Sequence, residues 1–166
     1  MAWIEGAVCL PDHTAQETAA VLAKLLEPIT CKHKIGAGLA PYVTLLHHGH
    51  PRSPALERVV ERFNVTKAQF VAIAFAPHYV RKADYCAVVL EFESDVFCEF
   101  AAQLCAAVEE ETNEASVQHR FTPHITLASF ESPAQMAKEA PAIKASFAHF
   151  DNMKMLLEDF KLMTDE

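Results

Sequence analysis

Apolar and polar positions change their period along this chain at regular intervals. Residues 2–10 are an apolar run closed by Pro11-Asp12, the pattern of a strand and its turn. Thr14 and Glu17 then form a capping box, which predicts a helix reaching about Glu27, ahead of Pro28. A second strand is expected over 42–48, stopped by Gly49 and Pro51. Ser53-Pro54 opens another helix, with Leu56, Val59, Val60 and Phe63 along one face. A buried strand is expected at about 69–76, and residues 77–84 read as a connection, with Arg81 and Lys82 at an exposed turn.

The second half repeats the order. A strand is predicted at 85–92, then a helix capped by Ser94 whose Phe97, Phe100, Ala101, Leu104 and Val108 form the buried stripe. A strand at 124–130 leads to Ser132-Pro133 and a further helix, interrupted near Pro141, and residues 153–163 read as the closing strand. The repeat is also visible residue by residue. Pro41-Tyr42-Val43-Thr44-Leu45 returns as Pro123-His124-Ile125-Thr126-Leu127, 82 positions on, and Trp3 and Tyr85 are likewise 82 apart. A βαβαβ unit used twice accounts for this, so one α+β domain is expected, with pseudo-twofold lobes of about residues 1–80 and 81–166.

Each motif places a ring two residues before a threonine. Side chains at i and i+2 of a strand share a face, so each copy presents a ring and a hydroxyl together on an otherwise apolar strand. Histidine exchanges protons near neutral pH, and a threonine hydroxyl donates to a phosphate oxygen. Two such pairs facing one another would suit displacement at phosphorus: a base on the attacking side, an acid on the leaving side, and donors for the non-bridging oxygens. The copies differ where it matters, with His124 in the second and Tyr42 in the first. A phenol, with a reference pKa of about 10, is a poor base at neutral pH but can donate a proton or a hydrogen bond.

These motifs resemble those of the 2H phosphoesterases, which carry two His-x-Thr/Ser-hydrophobic motifs, one per lobe. Residues Arg120-Phe121-Thr122-Pro123-His124-Ile125-Thr126-Leu127 match the second motif with its flanks, and the first matches except that Tyr42 replaces the histidine. The resemblance implies a bilobed fold whose antiparallel sheets form a central cleft. It implies a substrate that is a 2′,3′-cyclic phosphate, a 1″,2″-cyclic phosphate or a 2′-5′ linkage on a nucleotide or RNA end, with no metal or cofactor. By the same resemblance His124 is the principal acid or base, Thr44 and Thr126 bind phosphate, and Tyr42 stands at the second catalytic position. Arg120 is a candidate substrate contact. Two functions stay open: an altered cyclic phosphodiesterase, or a catalytically impaired domain that binds nucleotides or RNA ends.

The remaining features narrow the picture. Half of the 166 residues (51%) are hydrophobic and 22% are charged, enough for a real core. The net charge of −8 argues against binding along extended nucleic acid, but not against a small phosphorylated ligand. No apolar run approaches the roughly 18 residues of a membrane helix, and no signal-peptide pattern opens the chain. Five scattered cysteines without a CxxC suit reduced thiols, hence a cytoplasmic or nuclear protein. His47, His48 and His50 read as residues at a turn rather than a metal site. Although His48 shares the face of Tyr42, six positions of strand put it about 20 Å away. Lys32, His33 and Lys34 are expected on a loop before the first motif, solvated or forming a basic lip.

Overall fold

Thr14 starts the first helix as its sequence predicts. Its hydroxyl accepts from the Glu17 N–H at 3.1 Å while the Glu17 carboxylate accepts from the Thr14 N–H at 3.0 Å. The computed structural model describes residues 2–36, 38–47, 52–66, 77–82, 85–92, 94–113, 124–150, 153 and 155–164. Along the chain these form β1 (Ala2–Cys9), α1 (Ala15–Leu25), β2 (His33–Ile35), β3 (Gly38–Leu39), β4 (Tyr42–His47) and α2 (Pro54–Thr66). There follow β5 (Pro77–Lys82), β6 (Tyr85–Glu91), α3 (Ser94–Thr112), β7 (His124–Phe130), α4 (Pro133–Ser146) and β8 (Leu156–Thr164). The strand expected at 69–76 lies outside the described residues.

The strands make two sheets, ordered β4-β1-β8 and β3-β2-β7-β6-β5. All described pairings are antiparallel except the short β2–β3 contact, and the fold is a mixed α+β one. Neither sheet keeps to one half of the chain. The C-terminal β8 completes the sheet of β1, and β2 and β3 extend the sheet of β7. Each exchange pairs a strand edge that would otherwise present unpaired N–H and C=O groups.

Three expectations are corrected. Residues Pro77–Lys82 are not a connection but strand β5, paired with β6 from Pro77↔Leu90 to Lys82↔Tyr85. Helix α4 runs through Pro141 without a break. A proline inside a helix removes one backbone hydrogen bond, yet buried Met136, Ala140 and Ile143 anchor this helix on both sides of it, and packing outweighs the local defect. The expected loop before the first motif is strand β2, paired to β7 by His33↔Ser129 and Lys34↔Ala128.

Lys34 has a structural task there. Its ammonium donates to the carbonyls of Leu26, Glu27 and Ile29 at 3.2, 3.0 and 3.1 Å. It thereby satisfies acceptors left open at the end of α1, where a cation is favoured. The turn after β1 is held by the Leu10 N–H, which donates to the fully buried Thr18 hydroxyl at 2.9 Å.

One apolar core joins both sheets to their helices, with Ile4, Val8, Leu22, Val43, Leu56, Leu104, Ile125 and Phe160 among its members. Phe160 of β8 stacks on Phe100 of α3 (centroids 5.4 Å apart) and meets the edge of Phe63 of α2 at 6.3 Å. Gly6 makes room on the same side, since a Cβ there would sit 3.0 Å from Leu157 Cδ1 and 3.1 Å from Phe160 Cε1. With Phe160 held in the core, its neighbour Lys161 is exposed.

The sequence repeat has a counterpart in the ladders. On β4 the pairing passes from Ile4↔Leu46 to Glu5↔Thr44, leaving Leu45 as an extra residue. On β7 it passes from Val88↔Ala128 to Val89↔Thr126, leaving Leu127 extra. Each motif threonine is thus followed at once by a β-bulge, a device that re-aims side chains. The partner strands correspond with a different offset. Glu5 and Val89, which oppose the two threonines, are 84 apart, so the structural counterpart of Trp3 is Ala87 and not Tyr85.

Candidate functional site

In β4, Val43 enters the core while Tyr42 and Thr44 lie partly buried on the opposite face. In β7, Ile125 and Leu127 are buried while His124 and Thr126 are partly buried on the opposite face. The two motif strands belong to different sheets, yet their Cα atoms come within 8 Å of one another. The fold therefore gathers Tyr42, Thr44, His124 and Thr126 on two neighbouring strands. Arg120, His48 and His50 lie outside the described residues, and the side chain of His47 is likewise not described.

The residues beside the two rings differ. Across the β6–β7 ladder, His124 faces Glu91, and across the β1–β4 ladder, Tyr42 faces Ala7. Ala7 is fully buried, and Glu158 of β8 opposes it from the other side. The Lys161 ammonium donates to the Tyr42 phenol oxygen at 3.0 Å and lies 5.2 Å from the ring centroid. It thus makes a charge-assisted hydrogen bond at the hydroxyl end of the ring.

Glu5 opposes Thr44 on one side and Lys161 on the other. Its carboxylate accepts from the Trp3 indole N–H at 2.8 Å. Farther along the sheet the Cys9 thiol donates to the Glu158 carboxylate at 3.3 Å. The face of this sheet turned away from Val43 therefore carries a phenol, a hydroxyl, an indole, two carboxylates and an ammonium.

Sequence reasoning missed Lys161, Glu5 and Glu91. A signal existed for each, Glu5 and Glu91 being the single charges of mostly apolar strands and Lys161 the one cation of β8, but only register tells which motif residue such a charge faces. Lys34, weighed as part of a basic lip, instead caps α1, while Lys32 and His33 are exposed. Among the described residues no three His, Cys, Asp or Glu side chains converge to hold a metal ion, and no helix is long and apolar enough to cross a membrane.

Arranged this way, the two strands offer one imidazole, one phenol and two hydroxyls, a set able to move protons and to bind a tetrahedral anion. Among solved structures, TT0787 of Thermus thermophilus is similar with a TM-score of 0.59 at 20% identity, over 99% of this chain and 88% of that one. Usb1 of Kluyveromyces marxianus is similar with a TM-score of 0.50 at 10% identity, over 98% of this chain and 93% of that one. At such identities the likeness is one of fold. Comparison with curated proteins gives no match. The model of the 2′-5′ RNA ligase superfamily matches residues 11–166, nearly the whole chain. With its two motif strands brought together in space and its family model matched over nearly its full length, this chain belongs to the 2′-5′ RNA ligase superfamily of 2H phosphoesterases.

Proposed function

We propose that this protein acts on cyclic phosphates or 2′-5′ linkages of nucleotides or RNA ends by side-chain acid–base chemistry. His124 is the principal acid–base group, and the hydroxyls of Thr44 and Thr126 donate to the phosphate oxygens. One observation carries the reading: the two ring-and-hydroxyl pairs stand, partly buried, on strands that come within 8 Å of each other. A phosphodiester held there meets donors from two sheets, and the imidazole can take a proton from water or give one to the leaving oxygen. Hydrolysis of nucleoside 2′,3′-cyclic phosphates by the wild type and by His124→Ala tests it. The expected result is turnover by the wild type that falls on the order of 10²–10⁴-fold in the variant. Turnover unchanged by the substitution refutes the role of His124.

The phenol at position 42 favours a second reading, in which the same face binds a nucleotide or RNA end without turnover. Its mark is saturable binding of a nucleoside monophosphate, weakened by Thr44→Val and by Thr126→Val, with no product formed.

A further inference from the structure

We infer that Lys161 makes Tyr42 the proton donor to the leaving oxygen, the two side chains together standing in for the absent first-motif histidine. This deepens the proposed hydrolysis and rests on it.

The geometry is specific. Lys161 is on β8 and Tyr42 on β4, with β1 between them. At about 4.8 Å per strand the two backbones stand close to 10 Å apart, a gap that the lysine and tyrosine side chains close from both ends. Lys161 pairs with Glu5 and Tyr42 with Ala7, so the contact runs diagonally over β1, where the small Ala7 opposite Tyr42 leaves room for it. Ala7 is fully buried, as expected of a residue covered from above. The matching position opposite His124 carries Glu91, so the two halves of the site are furnished differently.

The direction of the hydrogen bond decides what the phenol can do. An ammonium has only donors, so at 3.0 Å it donates a hydrogen bond to the phenol oxygen and occupies a lone pair. The phenol keeps its own O–H to donate to another acceptor. The positive charge also offsets the negative charge that the oxygen acquires when its proton leaves, an effect aimed at the transition state.

The step balances with groups already present. His124 takes a proton from water, and the water oxygen forms a bond to phosphorus. The bond from phosphorus to the leaving ribose oxygen breaks, and that oxygen takes the Tyr42 proton. The phenolate recovers a proton from Lys161, which is exposed and regains one from solvent, while His124 releases its own to solvent. Tyr42 is the catalytic residue of this pair, and Lys161 is its positioning residue.

A double-mutant cycle on a nucleoside 2′,3′-cyclic phosphate, measured in single turnovers with enzyme in excess, tests the assignment. Lys161→Met is expected to lower kcat roughly tenfold or more, the worth of one hydrogen bond to a charged group, with KM nearly unchanged. Lys161→Arg, which keeps charge and donors, is expected to restore most of that loss. In the Tyr42→Phe background Lys161→Met is expected to cost nothing further, because the oxygen it serves is gone. An equal loss in both backgrounds, or no loss in either, overturns the inference while leaving the hydrolytic reading intact. Absence of turnover by the wild type overturns that reading, and this step with it.

Discussion

Glu91 stands directly across the β6–β7 ladder from His124, partly buried on the same face. Directly opposed side chains in an antiparallel pair have Cβ atoms about 4.5–5.5 Å apart, close enough for a carboxylate to accept from an imidazole N–H and orient the ring. Glu91→Gln is therefore expected to lower kcat on a cyclic phosphate on the order of tenfold with KM little changed, the size of one charge-assisted hydrogen bond. Steady-state kinetics decides the point, and an unchanged kcat would mean that Glu91 only lines the face.

Tyr42→His restores the ring that the first motif lacks. An imidazole both accepts and donates protons near neutral pH, whereas a phenol only donates. A gain in kcat is expected, smaller than the roughly 10²–10⁴-fold worth of a whole acid–base group because Tyr42 with Lys161 already supplies a proton. A variant no faster than the wild type would show that the strand positions, and not the ring, limit the chemistry.

Lys34→Met separates a structural lysine from a substrate-binding one. Its ammonium caps three carbonyls at the end of α1, so urea unfolding should show a loss of about 1–2 kcal/mol. Kinetic constants on cyclic phosphates should be unaffected. A raised KM without loss of stability would return Lys34 to the substrate.

Glu17 gives the acid limb of stability a defined sign. The Thr14 backbone N–H, and next its hydroxyl, hold the Glu17 carboxyl below its ordinary value. A carboxyl whose folded pKa lies below its unfolded one stabilises the fold above the unfolded value, near 4.3, and loses that contribution as pH falls through the folded value. The stability difference between wild type and Glu17→Gln, followed by urea midpoints, should be present at neutral pH and vanish in acid. A difference that persists at low pH would assign the effect to the shape of the cap rather than to its charge.

What was legible in the sequence was local. The Thr14–Glu17 box and Ser132-Pro133 mark helix starts because a cap is completed within four residues, and both helices begin there. The apolar runs at 2–10, 42–48 and 124–130 become β1, β4 and β7 because a strand's period is carried by its own residues. Local signals misled where packing overrode them. Pro141 did not end α4, because buried residues on either side hold that helix together. Residues Pro77–Lys82 became a strand because β6 offered them an edge.

By itself the sequence determined the two motif strands, the face each ring shares with its threonine, and the substitution of Tyr42 for a histidine. Tertiary structure decided what stands next to those residues. The exchange of β8 into the sheet of β1, the bulge after each threonine, Glu91 opposite His124 and Ala7 opposite Tyr42 are all matters of register between distant segments. Period and propensity act over a few neighbouring residues, whereas Lys161 reaches Tyr42 across 119 positions of chain. Only the pairing of β8 with β1, held by Phe160 in the core, brings that ammonium to the phenol.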